Sequence, residues 1–202
     1  MAVSAGASAL GFVSAMPSGP GVIDDHLIAQ IVAAVPPPIA TFLLTARLDA
    51  DSIIDQHRLC RTSVIQLVDH LAHEELHKLR RGLPGIRLVQ VIHVTGEKSV
   101  EEAKSVAPNV DALLLDSGNQ NLTVKELGGT GKTHDWRVSR RIRDEAGIPL
   151  FLAGGLNKNN IDAAIKTVRP FGLDLCSSVR TKDSLDGEKL QAFIAAVAGC
   201  SR

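Results

Sequence analysis

The sequence predicts an α/β protein of the (β/α)₈ barrel class, and three observations lead there. Apolar runs rich in Val, Ile and Leu alternate along the chain with stretches whose apolar residues recur at helical spacing. The runs are continuous rather than alternating apolar and polar, so each strand reads as buried on both faces, as in a parallel sheet covered by helices. Small and polar residues gather just after the runs, as in LLLDS at 113–117, AGGL at 153–156 and CSSV at 176–179. Barrels of this class carry their chemistry at that end of their strands.

Taken in order, residues 8–13 read as the first strand and 23–35 as the helix after it. Its apolar positions are Ile23, Leu27, Ile28, Ile31 and Val35, and Pro36, Pro37 and Pro38 stop it. Further strands are expected at 39–44, 63–68, 86–92, 110–116, 149–154 and 171–176. The intervening helices are expected near 49–59, capped by Asp49 or Asp51, then at 72–81, 98–105, 135–146, 157–168 with Asn157 as cap, and 186–198. This makes seven strand–helix units in a single domain spanning 1–202. A closed ring needs eight strands. The opening MAVSAGA reads as the end of a helix. The expectation is therefore a barrel lacking its first strand and most of its first helix, with two open edges that offer a route to oligomers.

Composition narrows the function. Lys+Arg and Asp+Glu both number 22, so the formal net charge is zero and no electrostatic case exists for a nucleic acid or an anionic membrane as partner. The apolar run 31–44 is broken by its prolines and cannot span a bilayer. No Lys or Arg precedes Arg47, which leaves no basic n-region for a secretory signal. Cys60, Cys176 and Cys200 are odd in number and far apart, which argues for a reducing compartment and a cytoplasmic location.

Among the motifs, Asp116 is the strongest single residue, because the buried run 110–115 delivers it to a strand end. Asp69, His70 and His93 also fall at strand ends and are placed to reach the same mouth. The glycines of GGTGKTHDW at 128–136, with Gly154, Gly155, Ser177 and Ser178, offer backbone amides to an anion, and together they point to a phosphorylated small molecule. A Walker A loop is excluded, since it needs glycine five residues before Gly131 and Glu126 stands there. HEELH at 73–77 matches the zinc-peptidase pattern, with His73 and His77 as ligands, Glu74 as base and Glu97 as a third ligand. The short helix and the buried strand after it fit that pattern poorly, so no metal or cofactor is expected.

From about Ala5 to Val197 the chain resembles the phosphoribosylanthranilate isomerase family. DALLLDS, GGTGKTHDW, PLFLAGGLNKNN and FGLDLCSSVRTKDSLDGEKLQAF carry the resemblance, and SAGASALGFV resembles the end of the family's first helix and its second strand. The resemblance implies a (β/α)₈ barrel of tryptophan biosynthesis that performs an Amadori rearrangement. A general acid protonates the ribose ring oxygen, and a general base removes the C2′ proton to give an enolamine that becomes a ketose. It implies Asp116 as the acid, with phosphate held by Gly129, Gly154, Gly155 and the turn Cys176, Ser177 and Ser178. The family's base is a cysteine ending the first strand, which this sequence does not show; Asp69 is a substitute by position only. SGPG at 18–21 stands where the family has an arginine for the substrate carboxylate, QLVD at 66–69 replaces its QLHG, and Ser178 replaces a glycine. Two readings follow, an active isomerase or a barrel that binds a sugar phosphate without turnover.

Overall fold

A computed structural model describes residues 1–17, 21–118 and 133–200. Seven parallel strands run in chain order: β1 (Ala9–Val13), β2 (Ala40–Thr45), β3 (Val64–Leu67), β4 (Arg87–His93), β5 (Ala112–Asp116), β6 (Leu150–Leu152) and β7 (Gly172–Leu173). Each is followed by a helix: α1 (Asp25–Ala34), α2 (Ala50–Cys60), α3 (His73–Gly82), α4 (Lys98–Val106), α5 (Trp136–Ala146), α6 (Ile161–Val168) and α7 (Gly187–Ala198). Local chemistry sets the starts. The carboxylates of Asp24, Asp49, Asp135 and Asp186 accept the orphan amides of α1, α2, α5 and α7.

Two packed layers follow from the two-residue period of a strand. Ile65, Leu67, Leu88, Ile92, Leu113, Leu115, Leu150 and Leu152 face the helices in the largest core cluster. Their neighbours Val64, Val68, Val89, Val91, Ala112, Leu114 and Ala153 pack on the other face, with Phe42 and Phe151 against them. The rings of Phe42 on β2 and Phe151 on β6 meet edge to face at 6.0 Å. In a flat sheet, strands four apart would stand roughly 19 Å from one another. The sheet is therefore rolled, and its inner face is filled by side chains as in a barrel.

The ladder is not closed: among the described residues β1 and β7 are the edge strands of the sheet, and the free side of β1 carries only an isolated bridge from Val13 to Val22. Gly21, after β1, lies beside the Arg180 guanidinium from the loop after β7, so the two ends of the sheet meet at the mouth. The N-terminal segment forms a Schellman turn, with Ala7 N–H bonded to Ala2 O and Gly6 N–H to Val3 O, Gly6 having φ 105°. Ala2 and Ala5 pack on the core beneath it.

Three expectations need correction. β7 spans two residues rather than 171–176, because after Asp174 bonds to Leu152 O the chain turns into a 3₁₀ helix at Ser177–Val179. The helix expected from Asn157 begins at Ile161; Asn157 instead closes a turn in which its amide bonds to the Asn160 side chain. A two-stranded ribbon, Arg180–Thr181 with Ser184–Leu185, was not expected at all.

Candidate active site

β5 ends on Asp116, and the inward face of its last turn of pleat is what aims the carboxylate. His93 is its registered neighbour on β4, and both are buried. Asp116 Oδ1 accepts from its neighbour's amide, Ser117 N, at 2.7 Å. Burial pushes the Asp116 carboxyl pKa up, and the Ser117 amide and the charge of His93 work against that rise. A carboxyl group so placed can hold a proton closer to neutrality than a solvated one and give it up to a substrate oxygen.

The same cleft holds the anion-binding candidates. Asp116, Gly154, Gly155, Cys176, Ser177 and Ser178 all line it. Gly154 and Gly155 have φ of 80° and 62°. A Cβ on Gly154 would come within 2.9 Å of His134 Nδ1 and 3.2 Å of Ser117 N, so only glycine fits the approach. The Gly155 carbonyl is turned away from the mouth, accepting from the side chains of Asn157 (3.2 Å) and Asn160 (3.0 Å). Among the described residues no backbone acceptor takes the amides of Gly154, Gly155, Ser177 or Ser178. Amides presented from two adjacent loops suit a phosphate. Gly129 lies outside the described residues.

Cys176 does not end a strand; it precedes the 3₁₀ turn, and burial raises its thiol pKa against the opposing charge of Arg180. His93 is locked in place: its Nε2–H donates to Val68 O at 3.0 Å. His70, also placed near the mouth by the sequence, instead pairs with Glu102 of α4 at 4.0 Å. Asp69 is buried beyond the end of β3, accepts from the His70 amide at 2.8 Å, and does not line the cleft.

The histidine pair of HEELH does not converge on anything. His73 lies at the start of α3, with Nδ1 accepting from Asn109 and Nε2 meeting Ser105, and His77 is exposed. Glu74 pairs with Lys78, and Glu97 with Arg141 on α5. Among the described residues no three His, Cys, Asp or Glu side chains group around a metal position.

One cleft residue, Asp174, and one neighbour of the cleft, His134, escaped the sequence reading. Asp174, one register step past β7, lines the cleft with Asp116. It is reachable from the mouth yet ringed by protein, and this crowding plus the Asp116 charge pushes its pKa up to about 7. The two-residue period of GLDL, with Gly172 and Asp174 inward and Leu173 and Leu175 outward, was the available signal. His134 stands beside Gly154, and burial lowers its pKa to about 4 despite neighbouring Asp135, so its ring is neutral.

A family model described as N-(5'-phosphoribosyl)anthranilate (PRA) isomerase matches residues 3–196. The chain belongs to this family. A relative from Haloferax volcanii, N-(5'-phosphoribosyl)anthranilate isomerase, is 34% identical over 195 residues, covering 96% of this chain and 84% of its own. The crystal structure of the isomerase from Thermotoga maritima overlays with a TM-score of 0.83 at 28% identity, covering 98% of this chain and 91% of the other. A further structure, a PRA isomerase in complex with reduced 1-(o-carboxyphenylamino)-1-deoxyribulose 5-phosphate, shares the fold with a TM-score of 0.79 at 24% identity, over 98% and 91% of the two chains.

Proposed function

We infer that this chain catalyses the Amadori rearrangement of N-(5'-phosphoribosyl)anthranilate to the carboxyphenylamino-deoxyribulose 5-phosphate, a step of tryptophan biosynthesis. The observation that carries the reading is one cleft holding both a buried carboxyl group, Asp116, and the amides of two glycine- and serine-rich loops. Family membership supports it, as does the ligand in the related complex, which pairs a phosphate with a carboxyphenyl group. Asp116 donates the proton that opens the ribose ring. Gly154, Gly155 and the turn Cys176–Ser178, with Gly129, hold the phosphate. That anchor supplies binding energy away from the reacting carbon, where it can be used to orient the sugar.

The seven strands correspond to strands two to eight of the eight-stranded ring. The Schellman turn at Gly6 supports this, since it is the way a helix ends before β1. Phe171, 73% exposed just before the edge strand β7, is in keeping with this reading. One domain covers the chain, and a cytoplasmic setting fits it. Among the described residues no helix is long and apolar enough to cross a membrane.

Loss of substrate fluorescence on adding purified protein tests the activity. Asp116→Asn is expected to lower kcat by about 10²–10⁴-fold with the fold intact by circular dichroism. Turnover unaffected by that change would remove Asp116 from the acid role. The run Ser18–Gly21, standing where the family has an arginine, favours a second reading, binding of a sugar phosphate without turnover. Calorimetric titration with a ribulose phosphate analogue, run beside the fluorescence assay, separates the two.

A further inference from the structure

We propose that the Arg180 guanidinium receives the carboxylate of the substrate's carboxyphenyl group and thereby selects the acidic substrate. The proposal rests on the isomerase reading above and deepens it. The ligand of the related complex carries two anionic groups, a phosphate and a carboxylate. In the site proposed here the amides of two loops take the phosphate, which leaves the carboxylate to be matched. The cleft floor does not match it. Among the described residues that line it there is no cation, and the charge of Asp116 and Asp174 disfavours another carboxylate beside them.

Arg180 stands at the rim of this cleft, two residues past Ser178, and its charge acts on the thiol of the lining residue Cys176. Its backbone is fixed. Arg180 pairs with Leu185 in the two-stranded ribbon, and its carbonyl accepts from Lys189 Nζ on α7 at 2.8 Å. The half-buried side chain then crosses to the other end of the sheet. Nη1 donates to Asp183 O at 2.6 Å, while Nη2 lies 2.7 Å from where a Cβ on Gly21 would stand. Among the described residues no carboxylate pairs with this guanidinium.

The bare backbone at Gly21 is what admits it. Gly21 has φ 80°, and a side chain there would run into the guanidinium. The run 18–21 is also where the family's arginine for the substrate carboxylate is missing. A guanidinium from the loop after β7 thus stands against the very run that lacks one. The bond from Nη1 to Asp183 O fixes the plane of the fork, and its remaining donors suit the two oxygens of a carboxylate.

Calorimetric titration of the full chain with two ligands tests this. One is reduced 1-(o-carboxyphenylamino)-1-deoxyribulose 5-phosphate, and the other is the same molecule without its carboxylate, reduced 1-phenylamino-1-deoxyribulose 5-phosphate. Wild type is expected to prefer the first by about ten- to a hundred-fold in Kd. Arg180→Gln should abolish that preference and leave the affinities for the phenylamino compound and for inorganic phosphate unchanged. An arginine that holds the phosphate, or only the loop, would weaken all three ligands together, and that result overturns the proposal. A preference that survives Arg180→Gln overturns it as well. Neither result touches the isomerase reading, whereas a wild-type protein that binds neither sugar phosphate sinks that reading and the proposal with it. If Arg180→Gln does not fold, Gly21→Ala decides, since its methyl group displaces the guanidinium from the other side. The preference for the carboxylate should then fall with the phenylamino affinity unchanged, and an undiminished preference overturns the assignment.

Discussion

At Gly154 the backbone sits at φ 80° with His134 Nδ1 2.9 Å and Ser117 N 3.2 Å from where a Cβ would stand. Gly154→Ala is therefore strained twice, by conformation and by contact, and is expected to cost about 1–3 kcal/mol in urea denaturation. The same change tilts amides away from the anion, so the thermal stabilisation given by inorganic phosphate should shrink. An unaltered phosphate shift would show that these amides hold no anion. This glycine and Asp116 were legible in the sequence because each stands directly after a long apolar run. Asp174 was hidden because its run, FGLDLC, reads equally well as a uniformly buried strand. The inward row, fixed by three-dimensional register, brings it into the same cleft as Asp116. Asp69 also follows an apolar run in the sequence, yet it is buried outside the cleft that Asp116 lines.

Between elements, the fold depends on ties at the end of the strands opposite the cleft. Asp111, just before β5, accepts from Leu88 N at 2.8 Å, from Arg87 at 2.9 Å and from Arg80 on α3 at 2.7 Å, binding two strands and a helix. Burial alone would raise its pKa; the Leu88 amide and the two guanidinium groups outweigh it and hold the carboxyl below the usual range. A depressed folded pKa means the stabilisation is present above the unfolded value and is lost as pH falls through the folded one. Asp111→Asn is expected to destabilise by roughly 1–3 kcal/mol at pH 7, with the difference from wild type closing below about pH 4. Urea midpoints across that pH range check it, and a gap that persists at low pH would locate the effect elsewhere. Interior strands and helices were legible because they are long and strongly patterned, as in Arg87–His93 and His73–Gly82. The end of the chain was less so. There, among the described residues, β7 has a partner on one side only, and past the bond from Asp174 N–H to Leu152 O no ladder holds the apolar Leu175 and Cys176 extended.

Across the whole molecule, order in the sheet is graded from its middle to its free edge. β3, β4 and β5 are buried almost along their full lengths, whereas β6 and β7 have three and two residues, and β7 is only half-buried. Yet the loops after these two short strands carry Gly154, Gly155, Ser177 and Ser178. The proposed anion site thus sits where the fold has least sheet to hold it, and local opening should be cheapest there. A ligand that binds only the closed arrangement stabilises it by about 2.7 kcal/mol at a hundred times its Kd. Because the phosphate would bridge two adjacent loops, that stabilisation should be concentrated in β6, β7 and α7. In hydrogen exchange of the free protein, the amides of Ala153 and Asp174 should exchange well before those of Val91 and Leu114. Adding phosphate or a ribulose phosphate analogue should slow the first pair by ten-fold or more, about 1.4 kcal/mol, and leave the second nearly unchanged. Equal slowing across the sheet would mean that the molecule opens as one unit and that the anion does more than clamp its edge.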